Sequence, residues 1–394
     1  MDFTKLKAFC DRMAADRTPG CSVVVYFDGK VMYEYSAGYS NAEKRLPMQG
    51  KEYFYIYSCS KVATVTAGAQ LVDRGILLLN DPLYEYIPEW KDVLVKREDG
   101  SLTPPKSPVT VGDLFSMSAG LNYNLNCDAY AEARKLTNGR MDTDVVARCL
   151  AKEPLSFDPG TRWQYSLCHD LLAGLIAIVS GKPFREYMRE NIFEPLGMNS
   201  TFYHATPEIL DRMAEQYIFV PEGGAVETDI VKAQREGTRA KDGYFKNVGK
   251  KNGYIIGEEY DSGGAGIITT VSDYAKLCGA LGNRGLGSNG ERIISPATVE
   301  LMKQNRLNER QLKDFSWNQL KGYGYGMGVR THIDQAASGQ NALLGEFGWG
   351  GAAGATVVCD TNAGLGAFFV QHTLNPREEW YQPRLKNVLY ASLT

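Results

Sequence analysis

The sequence predicts an α+β fold: one antiparallel sheet, flanked by helices, is built from the N- and C-terminal segments, and a mostly helical region is inserted between them. Three observations predict it. Residues 21–38, CSVVVYFDGKVMYEYSAG, alternate in polarity around Asp28-Gly29, the pattern of a two-residue β-hairpin. Strand-like runs return only late, at 323–331, 354–362 and 365–373, with Asp360 to Gly364 as the turn between the last two. Between these ends the chain reads as helices at 110–118, 142–152, 168–180 and 184–193, punctuated by Pro and Gly.

Taken in order, the polar amphipathic start MDFTKLKAFCDRMAADR predicts a helix ahead of the hairpin. A second helix runs from Ser58 toward Leu79, with Ala, Val and Leu at helical spacing, Gly75 as its C-cap and Asn80-Asp81-Pro82 as the stop. Residues 221–262 are polar and Gly-rich, and are expected to be an exposed surface insertion rather than a substrate lid. The tail from Glu378 to Leu393 reads as helix. The expected division is a sheet domain of residues 1–81 and 251–394 and an inserted helical domain of residues 82–250.

Composition narrows the function classes. The chain has 394 residues, 44% hydrophobic and 23% charged, with 43 basic against 46 acidic side chains and a net charge of −3. That is globular rather than disordered, and it lacks the basic excess that a nucleic-acid partner requires. No run approaches the roughly 18 apolar residues of a membrane span, and the N-terminal segment has no signal-peptide core, so the expected location is cytoplasmic, with no membrane partner. The eight cysteines, at 10, 21, 59, 127, 149, 168, 278 and 359, show no paired spacing and read as free thiols.

Several chemistries lack their motif. There is no G-x-S-x-G elbow and no phosphate-binding G-x-x-x-x-G-K-[ST]. His169, His204, His332 and His372 occur singly, without metal-ligand spacing, and no metal or cofactor is implied. Gly348 to Ala353 sits too near the C-terminus to open a dinucleotide-binding unit. One positive remains: Ser58-Cys59-Ser60-Lys61, an S-x-x-K tetrad on the first turn of the expected helix. At i and i+3 the hydroxyl and the amine share a helical face. A lysine among apolar residues is desolvated, which favours the neutral amine able to take the serine proton. The competing assignment makes Ser58 an N-cap and Lys61 a solvated first-turn residue.

The run YSCSKVATVTAGAQLVDRGILLLNDPLYEYIPEW resembles the active-site helix of serine β-lactamase-like hydrolases, the group that includes class C β-lactamases, penicillin-binding proteins and related esterases. VTVGDLFSMSAGL at 109–121, FDPGTRWQYS at 157–166, GKPFREYMRENIFEPLGM at 181–198 and GGAGIITTVSDYAKL at 263–277 resemble further landmarks in the same order, over roughly residues 17 to 380. The resemblance implies an acylated nucleophile at Ser58, a proton acceptor at Lys61 and a second-motif tyrosine at Tyr165 that shares or relays the proton. Which of Lys61 and Tyr165 is the base stays open. It also implies that Trp349-Gly350-Gly351 stands where lactamases have Lys-Thr-Gly, with the Ala352 amide completing an oxyanion hole with that of Ser58.

Two departures bear on substrate. The second motif reads Tyr165-Ser166-Leu167 where Tyr-x-Asn would supply an amide, and Trp349 replaces the third-motif lysine that helps hold a carboxylate. Both favour neutral or apolar acyl groups and are similar to the family VIII carboxylesterase branch. The expectation is a serine hydrolase cleaving small carboxylic esters. A β-lactamase or D,D-peptidase, an acyltransferase using the same acyl-enzyme, and a silent acyl- or peptide-binding homologue are the alternatives.

Overall fold

The computed structural model describes residues 1–223 and 243–393. The expected hairpin forms as strands Gly20–Phe27 and Lys30–Asn41, with Asp28 and Gly29 both at positive φ (47° and 73°), the backbone that a two-residue turn of this hand requires. These strands join the late ones in an eight-stranded sheet. Its order runs Tyr323–Tyr325, Arg330–His332, Phe347–Gly348, Thr356–Asp360, Leu365–Gln371, Gly20–Phe27, Lys30–Asn41 and Leu46–Pro47. Every pairing within it is antiparallel, and Val24 lies opposite Phe368 at the seam between the two chain ends. One face carries the N-terminal helix Thr4–Asp16 and the C-terminal helix Glu378–Tyr390, sealed by Leu6, Phe9, Phe369, Tyr381 and Leu385. The other face packs against the helix Val271–Gly282 and the large core around the helix Ser60–Asp73.

The helices of the middle region fall close to their expected places: Val111–Ser116, Thr143–Cys149, Cys168–Ser180, and Phe184–Met188 continuing into a π-turn. Thr110 caps the first with a reciprocal Asp113 bond, which satisfies two end groups at once. Three expectations need correction. The 323–331 run is two short strands joined by a turn, because Gly326 donates back to the Val329 carbonyl and Gly328 takes positive φ. The middle region is less purely helical than expected: strands Gln216–Pro221 and Gly243–Gly249 pair with each other, and the former pairs in parallel with Thr373–Leu374. The 221–262 insertion is not simply exposed. Residues 224–242 of it lie outside the described residues, but Tyr254, Asp261 and Ser262 pack inward. Among the described residues no helix is long and apolar enough to cross a membrane.

Candidate active site

The helix expected from Ser58 begins two residues later, at Ser60, and Ser58 lies in a tight 3₁₀ turn, Tyr57–Cys59, that leads into it. Tyr57 holds φ at 46°, a left-handed conformation that costs a bulky residue about 1 kcal/mol or more. Its side chain fixes it there: the buried hydroxyl donates to Gln216 Oε1 at 2.5 Å, and the ring packs edge-on against Tyr254. The Tyr274 hydroxyl donates to the Cys59 carbonyl, and the Ile267 amide donates to Ser60 Oγ, so the turn is clamped from two sides.

Lys61 remains in reach of Ser58 despite the shifted helix start. Its Nζ lies 3.2 Å from Ser58 Oγ, 2.7 Å from the Gly264 carbonyl and 3.3 Å from the Tyr123 hydroxyl, and the residue is 0% exposed. Burial drives its amine down to about 7, against an opposing pull from the Asp170 carboxylate. A solvated first-turn lysine is therefore excluded. Tyr165, from the loop ahead of the helix Cys168–Ser180, donates to Ser58 Oγ at 2.5 Å. Burial pushes its hydroxyl well above the ordinary tyrosine range, so it holds its proton at neutral pH. Nζ also stands 4.7 Å from the Tyr165 ring centroid and 5.3 Å from that of Tyr123, beside two stacked rings whose centroids are 5.4 Å apart.

The third expected segment comes alongside. The Cys59 thiol contacts the Trp349 carbonyl at 3.7 Å, and a Cβ on Gly351 would fall 2.3 Å from the Ile56 carbonyl, so only glycine lets this backbone approach the turn that carries Ser58. Gly351 is pinned by its amide bond to the Ala355 carbonyl, Gly350 bridges to Thr356, and Ala352 follows, buried, beside the turn's aromatic cluster. The Trp349 indole stacks on Tyr165 at 6.0 Å. Leu167, which stands where the second motif would carry its amide, is 1% exposed and lies in the core at the start of the helix Cys168–Ser180.

With Ser58, Lys61, Tyr165 and the 349–352 segment brought together, the likeness to known proteins can be stated. The chain matches the Beta-lactamase family over residues 7–389. It belongs to that family. Among its relatives is esterase EstB of Burkholderia gladioli, 26% identical over 389 residues, covering 94% of this chain and 90% of EstB. The fold is shared with EstCE1, described as a hydrolase with promiscuous acyltransferase activity, at a TM-score of 0.76 and 23% identity over 98% of this chain and 97% of that one. It is also shared with the unliganded simvastatin synthase LovD from Aspergillus terreus, at 0.76 and 19% identity over 99% and 98%. Family membership and the esterase among its relatives support a serine hydrolase or acyltransferase of the β-lactamase fold, with relatives consistent with the family VIII esterase branch.

In this β-lactamase-family chain, four site residues gave no sequence signal. Tyr123 sits in a polar Asn-rich stretch, Trp317 in a short connection, and Tyr254 in the insertion read as exposed. Together with Trp349 they enclose Tyr165 and Lys61: Trp317 lies 5.2 Å from the Tyr165 ring, and Tyr254 meets Tyr123 edge-on at 5.8 Å. Asp170, the fourth, looks like an ordinary acidic residue in a helix's first turn. Its Oδ1 accepts from Ser262 Oγ at 2.6 Å, Tyr260 OH at 3.1 Å and the Gly264 amide at 3.3 Å. His169, next to it, is held down to about 3 by burial and by Lys61, and stays neutral. Among the described residues no cluster of His, Cys, Asp and Glu could hold a metal ion.

Proposed function

We propose that the protein is a carboxylesterase that opens small, neutral esters through an acyl-Ser58 intermediate. The observation that carries this reading is the double approach to Ser58 Oγ, by a buried amine near its neutral point and by a tyrosine hydroxyl. Neutral Lys61 takes the Ser58 proton as the oxygen attacks the acyl carbonyl carbon, and the resulting ammonium returns it, by way of Tyr165, to the departing alkoxide. Water then repeats the sequence in reverse, leaving a carboxylic acid and free Ser58. The amides of Ser58 and Ala352 take the developing oxyanion; removing one such donor typically costs about 10²–10³ in rate. Which of Lys61 and Tyr165 first receives the proton turns on which of them is unprotonated near neutrality: the lowered amine is available in its neutral form, whereas the raised phenol keeps its proton, and this favours Lys61.

Neutral acyl groups are favoured by what faces the nucleophile. Trp317, Trp349, Tyr123 and Tyr254 supply ring surfaces, and neither a second-motif amide nor a third-motif cation is present to hold a carboxylate. EstB is named an esterase, which agrees. The test is a parallel assay with p-nitrophenyl butyrate and a chromogenic cephalosporin. Faster turnover of the ester is expected, and faster turnover of the cephalosporin would reverse the assignment. The same aromatic wall favours a second reading, transfer of the acyl group to an alcohol in place of water; adding a small alcohol and measuring ester exchange against free acid separates the two. The unpaired cysteines suit a cytoplasmic setting.

A further inference from the structure

We infer that Asp170 is a positioning residue for the reaction: its carboxylate, placed across Gly264 from Lys61, sets how strong a base the buried amine is. The inference rests on Lys61 as the proton acceptor, and it assigns a role to a side chain that touches neither the nucleophile nor the acyl group.

Three polar atoms converge on the α-carbon of Gly264. A Cβ there would stand 2.5 Å from Asp170 Oδ2, 3.1 Å from Tyr123 OH and 3.2 Å from Lys61 Nζ. The carboxylate and the amine are therefore within about 6 Å of each other, the range over which an opposite charge favours the ionised amine. Oδ1 is occupied by three donors, whereas Oδ2 is buried with no hydrogen-bond partner among the described residues, on a side chain 4% exposed. A buried carboxylate oxygen left unpaired is costly, and it persists here turned toward the one amine the chemistry uses.

The same carboxylate also places a ligand of that amine. Ser262 Oγ, which donates to Asp170, accepts from the Ala265 amide, and the Gly264 amide reaches Asp170 as well. Asp170 thus fixes the 262–265 loop whose Gly264 carbonyl accepts a hydrogen bond from Lys61 Nζ at 2.7 Å. The other groups facing the amine are accounted for. Cys59 and Cys168 are thiols pushed up by burial, Tyr123 and Tyr165 are phenols pushed up likewise, and His169 is neutral. Asp170 is the acidic neighbour among them.

Burial alone would leave Lys61 too weak a base to hold a serine proton, and the carboxylate opposes it, so that the ammonium formed in the acylation step is stabilised without solvent. The experiment is the pH dependence of kcat/KM for p-nitrophenyl butyrate in the wild type, Asp170→Asn and Asp170→Glu, with thermal unfolding as a check of folding. The acid limb is expected to move down by about one pH unit in Asp170→Asn, with a lower plateau, and to return toward its wild-type position in Asp170→Glu. Should the asparagine variant not fold, Asp170→Ser, which leaves room for water, is read in the same way. A limb that stays in place in a folded neutral variant overturns the inference, as does failure of both neutral variants to fold while Asp170→Glu folds, which assigns Asp170 to stability. Lys61→Ala separates the two levels: if it keeps wild-type turnover, the esterase mechanism itself fails; if it is inactive and the Asp170→Asn limb does not move, only the role of Asp170 fails.

Discussion

Two lysines of this chain are withdrawn from solvent to the same degree, Lys61 and Lys386, each 0% exposed and each drawn down by burial to about 7. Lys61 faces a serine hydroxyl in a cleft bounded by aromatic rings. Lys386, on the C-terminal helix, donates to the Tyr323 hydroxyl at 2.8 Å and stands over that ring, and Tyr323 in turn donates to Glu346, which is paired with buried Arg330. One amine has the hydroxyl of the proposed nucleophile as its neighbour, whereas the other has a phenol already committed to a carboxylate. Desolvation makes a neutral amine available. In the proposed mechanism it is the geometry around Lys61 that makes its amine a base, and the perturbed titration of Lys386 would mislead as a sign of function.

The comparison breaks most visibly if the wrong lysine matters. Lys61→Ala is expected to lower kcat by about a thousandfold or more with folding intact, while Lys386→Met leaves kcat within about threefold. Retention of more than about a tenth of kcat in Lys61→Ala, a barrier change under about 1.4 kcal/mol, would remove lysine as the essential base. Tyr165→Phe is expected to cost about a hundredfold in kcat, since the ring and its packing survive and only the relay hydroxyl is lost; a loss under about threefold would make Tyr165 a packing residue.

A pH profile sharpens the same contrast. Protonated Lys61 cannot accept the serine proton, so kcat/KM is expected to fall by about tenfold for each pH unit below about 7 and to level off above it. Lys386 is expected to speak through stability instead. Its folded amine titrates near 7 and its unfolded one near 10.5, so between those values the unfolded chain binds the extra proton and stability rises with pH. Lys386→Met should remove up to about 1.4 kcal/mol per pH unit of that rise in denaturant unfolding between pH 8 and 10. An unchanged slope would show that Lys386 is charged in the folded protein. The smallest effect is expected at Trp349→Leu, a severalfold rise in KM for aryl esters with kcat nearly retained.

Much of this site was legible from the chain alone, for reasons that differ by residue. Ser58 and Lys61 declare themselves because their contact is local, at i and i+3, and survives even though the helix starts at Ser60. The hairpin at Asp28-Gly29 is equally local. Tyr165 and Trp349 through Ala352 were reached through family likeness, since contacts made across more than a hundred residues leave no periodic trace. Tyr123, Trp317, Tyr254 and Asp170 were not reached. Each acts through neighbours distant in sequence, as when Asp170 meets Ser262 and Gly264, and each looks locally like a loop aromatic or a helix-start acid. Strands such as Phe54–Tyr55 and Ile268–Thr269, only two residues long, are set by their partners rather than by alternation.

The most direct test of the central claim, that a neutral buried Lys61 strips the Ser58 hydroxyl, is the rate of fluorophosphonate labelling followed by intact mass from pH 5 to 9. The account predicts a single adduct, absent in Ser58→Ala, forming about tenfold faster per pH unit up to about 7 and at constant rate beyond. A rate indifferent to pH, or an adduct that persists in Ser58→Ala, would contradict it.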